Sequence, residues 1–414
     1  MRVRLVAAAL AALVVTGVAA TPAIAAPGLP GHPEWWFDAW NVQGLWDGGA
    51  RGQGIVIAEI DTGINADLPE LSGNIGSGAD FGASDGDGRT DRDIDESGHG
   101  TAMASIMVSH ASGPYSILGI APEARVLPVA VPLVGTTYAV SSRFGDYLEK
   151  AIRWSADHDA KIISMSLGSD RDPNITKKSC TSTEQAAIDY AIGKGAIVVA
   201  ASGNGGDKGS PVTEPGVCLG VISVGAIDQA GAVAPWSSRH PYLTVTAPGV
   251  NIPTVGRIAG QLYYGDGTSQ ATALTSGGLA VLWSKYPQLT SRQVVARLLA
   301  TLDGAHSTRD PSVGYGTINI GNAVNASVPA DAPNPVYDAV DPFLAKEKIA
   351  ASTPTIKPAA DKSELPGGFA VRAAPNTFTS GDGLVGIVVA AIGVLAFAVL
   401  AVLARRRRAR QTRA

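Results

Sequence analysis

Cysteine is scarce in this chain: Cys180 and Cys218 are the only two among 414 residues. Neither has a histidine beside it, which argues against a thiol nucleophile. Outside the cytoplasm two cysteines usually pair, and this pair would close a loop contributing on the order of 3–4 kcal/mol in the chain-entropy model; two free thiols are the alternative. Charge is scarce too, at 16% of residues with a net of −4. Eight arginines crowd the termini: Arg2, Arg4, Arg405, Arg406, Arg407, Arg408, Arg410 and Arg413. Without them the remainder carries about −12, a balance that argues against nucleic acid as a partner. No internal repeat is evident, so nothing points to a solenoid or an array. The acidic stretch 85–96 (Asp85, Asp87, Asp91, Asp93, Asp95, Glu96) lacks the glycine of a calcium loop, since Glu96 stands there in the register starting at Asp91. It reads as a solvated loop; no cofactor is implied, and a structural calcium ion has no motif behind it.

What the chain does have begins at its ends. Arg2 and Arg4 precede an uncharged apolar run over 5–18, and Ala23-Ile24-Ala25 supplies an A-x-A site. This predicts a secretory signal peptide, 1–25, cut after Ala25; an uncleaved anchor is the alternative. The stretch 384–404 is 21 residues without charge or proline, long enough to cross about 30 Å of hydrocarbon as a helix. The arginines of 405–414 follow it and favour the cytoplasmic side. The predicted topology is a single-pass protein of the cell membrane, its main domain extracytoplasmic and its C-terminus cytoplasmic. A buried core helix or a cleaved lipid-anchor tail fits the same stretch less well, since the run is terminal, has no polar face and ends in arginines.

Between these ends lie three regions. Residues 26–52 form an arm crowded with Trp35, Trp36, Phe37, Trp40, Leu45 and Trp46. Trp36 and Trp40 share a face if the arm is helical, and the arm is expected to bury its aromatics on the main domain, a partner-binding arm being the alternative. Residues 53–327 alternate apolar strands with helical segments. Strands are predicted over 54–60, 126–131, 162–167, 196–201, 221–226 and 243–246, and helices over 102–108, 144–154, 185–192 and 269–286. Pro128 marks the second strand as an edge or irregular one. Thr290-Ser291-Arg292-Gln293 is a capping-box pattern opening another helix. This alternation argues an α/β fold around a buried, mostly parallel sheet. Residues 328–383 lose all period and read as a Pro/Ala-rich linker.

Three short strings carry the chemistry: Ile60-Asp61-Thr62-Gly63, Gly98-His99-Gly100-Thr101 and Gly267-Thr268-Ser269. A serine hydroxyl attacks only if a base takes its proton, and imidazole titrates in the right range. A carboxylate must then hold that imidazole in one tautomer. Asp61 ends a strand, His99 sits between glycines ahead of a helix, and Ser269 opens a helix whose first N–H groups are unpaired. Each string alone has a bland reading: a turn, a loop histidine, an N-cap serine. Ser202-Gly203-Asn204-Gly205 follows another strand, where a side-chain amide suits an oxyanion, although Asn-Gly is also a common turn pair.

Together the strings resemble the subtilisin family of serine proteases, whose triad runs in the chain order Asp, His, Ser. The resemblance extends over about 53–324, with Ser164-Met165-Ser166-Leu167-Gly168 and Gly314-Tyr315-Gly316 as further matches. It implies a three-layer α/β fold in which Asp61 orients, His99 is the general base and Ser269 the nucleophile. Asn204 and the Ser269 N–H would form the oxyanion hole. Ser166, Leu167 and Gly168 would be a strand wall pairing with substrate backbone, and Ser202 and Gly203 would join the binding site. The chain departs after the serine, where Gln270-Ala271-Thr272-Ala273 stands in place of a segment that usually contains proline. Ala26 to Gln53 leaves no room for the usual folding prodomain. The signal, arm, linker and basic membrane anchor resemble mycosins, the membrane-anchored proteases associated with type VII secretion, and a core Cys180–Cys218 disulfide fits that group. The implied function is a membrane-anchored serine endopeptidase acting on a peptide or protein, with secretion-system proteins as possible partners. A scaffold of a secretion complex with dispensable proteolysis is the alternative.

Overall fold

The structure is a computed structural model that describes residues 34–83, 86–133, 144–170 and 180–341. The predicted signal peptide, the 384–404 span, the basic tail and most of the linker lie outside the described residues. No helix among the described residues is long and apolar enough to cross a membrane.

The strands are β1 (Val56–Asp61), β2 (Ala79–Asp80), β3 (Arg125–Ala130), β4 (Ile162–Met165), β5 (Ser169–Asp170), β6 (Ile197–Ala201), β7 (Thr213–Glu214), β8 (Val221–Ile227), β9 (Val245–Pro248), β10 (Ile252–Val255) and β11 (Leu262–Gly265). Seven of them make one parallel sheet in the order β2-β3-β1-β4-β6-β8-β9. The interior strands β4, β6 and β8 are buried at every residue, because helices cover both faces and a parallel sheet has no solvent side. The helices are α1 (Trp35–Ala39), α2 (Val42–Asp47), α3 (His99–Val108), α4 (Phe144–Asp157), α5 (Ser182–Gly193), α6 (Thr268–Lys285), α7 (Ser291–Leu299), α8 (Ile320–Asn325) and α9 (Pro335–Asp338). Helices α4 and α5 pack together over β1, β3, β4 and β6, while α3 and α6 pack together and α6 spans β4, β6, β8 and β9. The result is the expected three-layer α/β architecture.

Several expectations are refined. Pro128 lies in β3, which is not an edge strand. Arg125 N donates to Ile55 O on the β1 side and Val126 N to Asn74 O on the other. By that alternation Pro128 turns its donorless nitrogen toward β2, which is only two residues long, so no ladder bond is lost. The capping box forms: Thr290 Oγ1 accepts from Gln293 N, and Gln293 Oε1 accepts from Thr290 N. The arm buries Trp36, Phe37, Trp40, Leu45 and Trp46. Cys180 and Cys218 form a disulfide that ties the entry of α5 to the turn before β8.

The linker begins later than its composition suggested. Val336, Tyr337 and Val340 are buried, and the Tyr337 hydroxyl donates to Ala196 O at 3.3 Å. Three apolar residues on one turn and a half of chain suffice to dock it, but the surrounding Ala, Pro and Asp hide so short a signal. The antiparallel pairs β10–β11 and β5–β7 were also unforeseen.

Candidate active site

Asp61 is the last residue of β1, fully buried. The chain turns at once at Gly63, whose φ of +95° favours glycine. Gly100, in the first turn of α3, approaches that turn so closely that an added Cβ would lie 2.2 Å from Gly63 O. Glycine at both places lets the end of β1 and the start of α3 touch. His99 thereby comes to Asp61, with Nδ1 2.7 Å from Asp61 Oδ1. The same Oδ1 accepts Thr62 N at 2.7 Å, while Asp61 Oδ2 is enclosed with no hydrogen-bond partner.

The start of α3 is held by side chains. His99 N donates to Asp93 Oδ2 at 2.8 Å, Gly100 N to Thr62 Oγ1 at 2.9 Å, and Thr101 N to Asp91 Oδ2 at 3.0 Å. Thr62 Oγ1 in turn donates to Asp91 Oδ1 at 2.8 Å. These acceptors satisfy first-turn N–H groups and complement the positive end of the helix. Asp91 is buried, and burial raises its pKa against four hydrogen bonds that lower it. The acidic stretch is therefore more than a solvated loop: two of its carboxylates fix the helix that carries His99. For His99 itself, burial works to lower the pKa. The Asp61 charge and hydrogen bond, helped by Asp93 and Asp91, prevail and push it up to about 9.

Ser269 is the second residue of α6. Its hydroxyl donates to Ser166 O at 2.7 Å, and Ser166 Oγ donates back to Ser269 O at 3.0 Å. Ser269 Oγ thus rests on the wall segment rather than on His99, although both line one cleft of about 800 Å³. Asn204 Oδ1 accepts both Thr268 N and Thr268 Oγ1 at 2.9 Å. Asn204 thus uses its side-chain oxygen, not its Nδ2 donors, to hold Thr268. Ser269 N is a first-turn donor with no intrahelical acceptor. Ser166, Leu167, Gly168, Gly203 and Asn204 all line the cleft.

Ser202 departs from expectation. It is fully buried, its Oγ has no partner, and it does not line the cleft. Its N–H still bonds Val224 O, so it continues the sheet and points its side chain inward. Sequence reasoning missed Leu133, Asp170, Lys208 and Thr213, which do line the cleft. Thr213 Oγ1 donates to Asp170 Oδ1 at 3.0 Å across the β5–β7 pairing. A contact between residues 43 positions apart leaves no local signal. No arm residue among those described lines the cleft. Among the described residues, the one grouping with metal-ligand proximity is Cys180, Glu184 and Cys218, and its sulfurs are bonded to each other.

A subtilase family model matches residues 52–316. The chain belongs to the subtilase family. It is 35% identical over 283 residues to a thermophilic serine proteinase of Bacillus sp. (strain AK1), an alignment covering 67% of this chain and 64% of that relative's length. Among solved structures it is similar to MycP1 from the ESX-1 type VII secretion system, with TM-score 0.64 and 26% identity over 73% of this chain and 88% of the other. It is likewise similar to the MycP3 protease from the type VII (ESX-3) secretion system, with TM-score 0.62 and 31% identity over 73% of this chain and 90% of that one. These neighbours support the mycosin-like resemblance within the family.

Proposed function

We propose that the chain is a membrane-anchored, extracytoplasmic serine endopeptidase that cleaves peptide bonds through an acyl-enzyme. The observation that carries this reading is the 2.7 Å contact of His99 Nδ1 with buried Asp61, on the rim of the cleft that also holds Ser269. Asp61 accepts the Nδ1 proton, so Nε2 is left as the base. Substrate backbone pairs along Ser166, Leu167 and Gly168. Ser269 Oγ swings from Ser166 O to His99 and attacks the carbonyl carbon while Nε2 takes its proton. The oxyanion is met by Asn204 Nδ2 and Ser269 N. The imidazolium then protonates the leaving amine, and a water activated by the same base hydrolyses the ester.

The test is cleavage of a denatured protein by the purified full chain and by Ser269→Ala. A loss near 10⁶-fold is expected, a magnitude known from subtilisin. Equal cleavage by both overturns the reading.

Anchoring through 384–404 and association with secretion-system proteins belong to the same proposal. They are supported by the uncharged run, the arginines after it and the type VII systems named for MycP1 and MycP3. A mainly scaffolding role is the second reading. Deletion of 384–404 that halts export while peptide cleavage persists favours it; normal export after that deletion excludes it.

A further inference from the structure

Glu59 lies two residues before Asp61 on β1, in the middle of the sheet. Strand side chains alternate, so Glu59 and Asp61 share one face, and the contact of Asp61 with His99 marks it as the face under α3. Glu59 is 1% exposed, and both its carboxyl oxygens are enclosed without a hydrogen-bond partner. Beside it in the sheet stand Pro128 of β3 and Ser164 of β4. Ser164 already receives the Ser276 hydroxyl from α6 at 2.8 Å. None of these three carries a charge. The charged groups that act on Glu59 are Asp61 on its own strand and Asp91 from the loop before α3. His99 is the nearest counter-charge on α3, and its Nδ1 is committed to Asp61 Oδ1.

Three buried acceptor oxygens around His99 and β1 have no donor: Asp61 Oδ2, Glu59 Oε1 and Glu59 Oε2. An ionised Glu59 would leave all three unmet and set like charges against each other in a water-poor interior. A neutral Glu59 has one O–H to give and needs an acceptor, which is what Asp61 Oδ2 offers. We propose that Glu59 keeps its proton at working pH and donates it, directly or through one water, to Asp61 Oδ2, acting as a positioning residue for the carboxylate that holds His99. Burial first, then the charges of Asp61 and Asp91, drive Glu59 well above the ordinary carboxylate range, in agreement with this state. Two effects follow. Asp61 is fixed from both oxygens, so Oδ1 stays on Nδ1. The site also avoids another anion, which would make His99 still more basic and scarcer as a free base near neutrality.

The proposal rests on the peptidase reading for its catalytic meaning, but its proton is measurable without turnover. The infrared spectrum of the full chain at pH 8, with that of Glu59→Gln subtracted, is expected to show a protonated-carboxyl stretch belonging to Glu59; its absence overturns the proposal. In kcat/KM against pH, Glu59→Gln is neutral and keeps an N–H donor, so its midpoint is expected to match that of the wild type. A midpoint shifted downward means that a charge was removed, and overturns the proposal. Glu59→Leu removes the donor, and kcat is expected to fall at least roughly tenfold below that of Glu59→Gln with KM little changed. Equal kcat in the two variants overturns the positioning role. If Glu59→Leu does not fold, the infrared band and the Glu59→Gln profile decide. A chain that cleaves nothing yet shows the band refutes the peptidase reading and leaves the protonation standing.

Discussion

At the N-terminal end of α6, Thr268 and Ser269 meet Asn204 and Ser166 through directed hydrogen bonds, next to the Asp61–His99 contact. At the other end, about 24 Å along the helix, Ser284 and Lys285 meet the arm: Gly52 N donates to Ser284 Oγ at 3.0 Å and Lys285 Nζ to Gly48 O at 2.6 Å. The arm's main contribution is apolar. Trp36, Phe37, Trp40 and Trp46 are buried, and the Phe37 and Trp46 rings meet edge to face at 5.1 Å. Apolar burial is non-directional and scales with area, so the arm contributes to how firmly the domain holds together. Hydrogen bonds weaken steeply with angle and distance, so if the proposed function holds, the N-terminal end of α6 governs how fast a bond is cut. On the proposed reading, stability and rate are set in separate parts of the molecule.

The largest effect that sharpens this division is expected in the arm. Trp36→Ala should cost about 3–5 kcal/mol of unfolding free energy while leaving kcat/KM per folded molecule unchanged. Denaturant unfolding together with active-site titration checks this; a loss of kcat/KM without a loss of stability breaks the comparison.

Next comes the opposite case. Asn204→Ala should lower kcat by 10²–10³-fold, about 2.7–4 kcal/mol and a magnitude known from subtilisin. Stability should fall far less, by about 1 kcal/mol for the bonds to Thr268. Steady-state kinetics beside thermal unfolding separates the two, and unchanged kcat removes Asn204 from the oxyanion hole.

The smallest expected effect is a pH dependence in the arm. Glu34 is buried, with one oxygen accepting Leu118 N at 2.9 Å, and burial pushes its pKa from 4.5 up to about 7. The folded state therefore holds this proton more tightly than the unfolded chain. Stability falls as pH rises from 4.5 toward about 7 and then levels, by no more than about 3 kcal/mol. Glu34→Gln should flatten that slope. Unfolding curves for the two proteins across this window test it, and parallel slopes contradict it.

The motif strings marked Asp61, His99, Ser269 and Asn204 as candidates because each stands at or just after the end of a strand, or at the start of a helix, where a glycine or a change of period marks the spot. The strands of the sheet were legible for a similar reason: burial on both faces leaves unbroken apolar runs. What stayed hidden depends on pairing at a distance. Nothing local tells which acids of 85–96 hold the start of α3, yet Asp91 and Asp93 do. Asp170 and Thr213 meet only because β5 and β7 pair. Ser202 looked like its neighbours in the loop, but its backbone still belongs to the sheet. Val336, Tyr337 and Val340 were masked by the composition around them.

On the proposed reading, Asp61 makes His99 a strong but protonation-limited base for Ser269. The rate at which a serine-directed phosphonate fluoride labels the full chain, followed against pH with the adduct mapped, tests it most directly. An adduct on Ser269 is expected, with a rate that rises with pH through a midpoint above 6.5, toward about 9, because His99 must lose its proton to act. Asp61→Asn should abolish most of that rate. An adduct on another residue, or labelling that is indifferent both to pH and to Asp61→Asn, would contradict it.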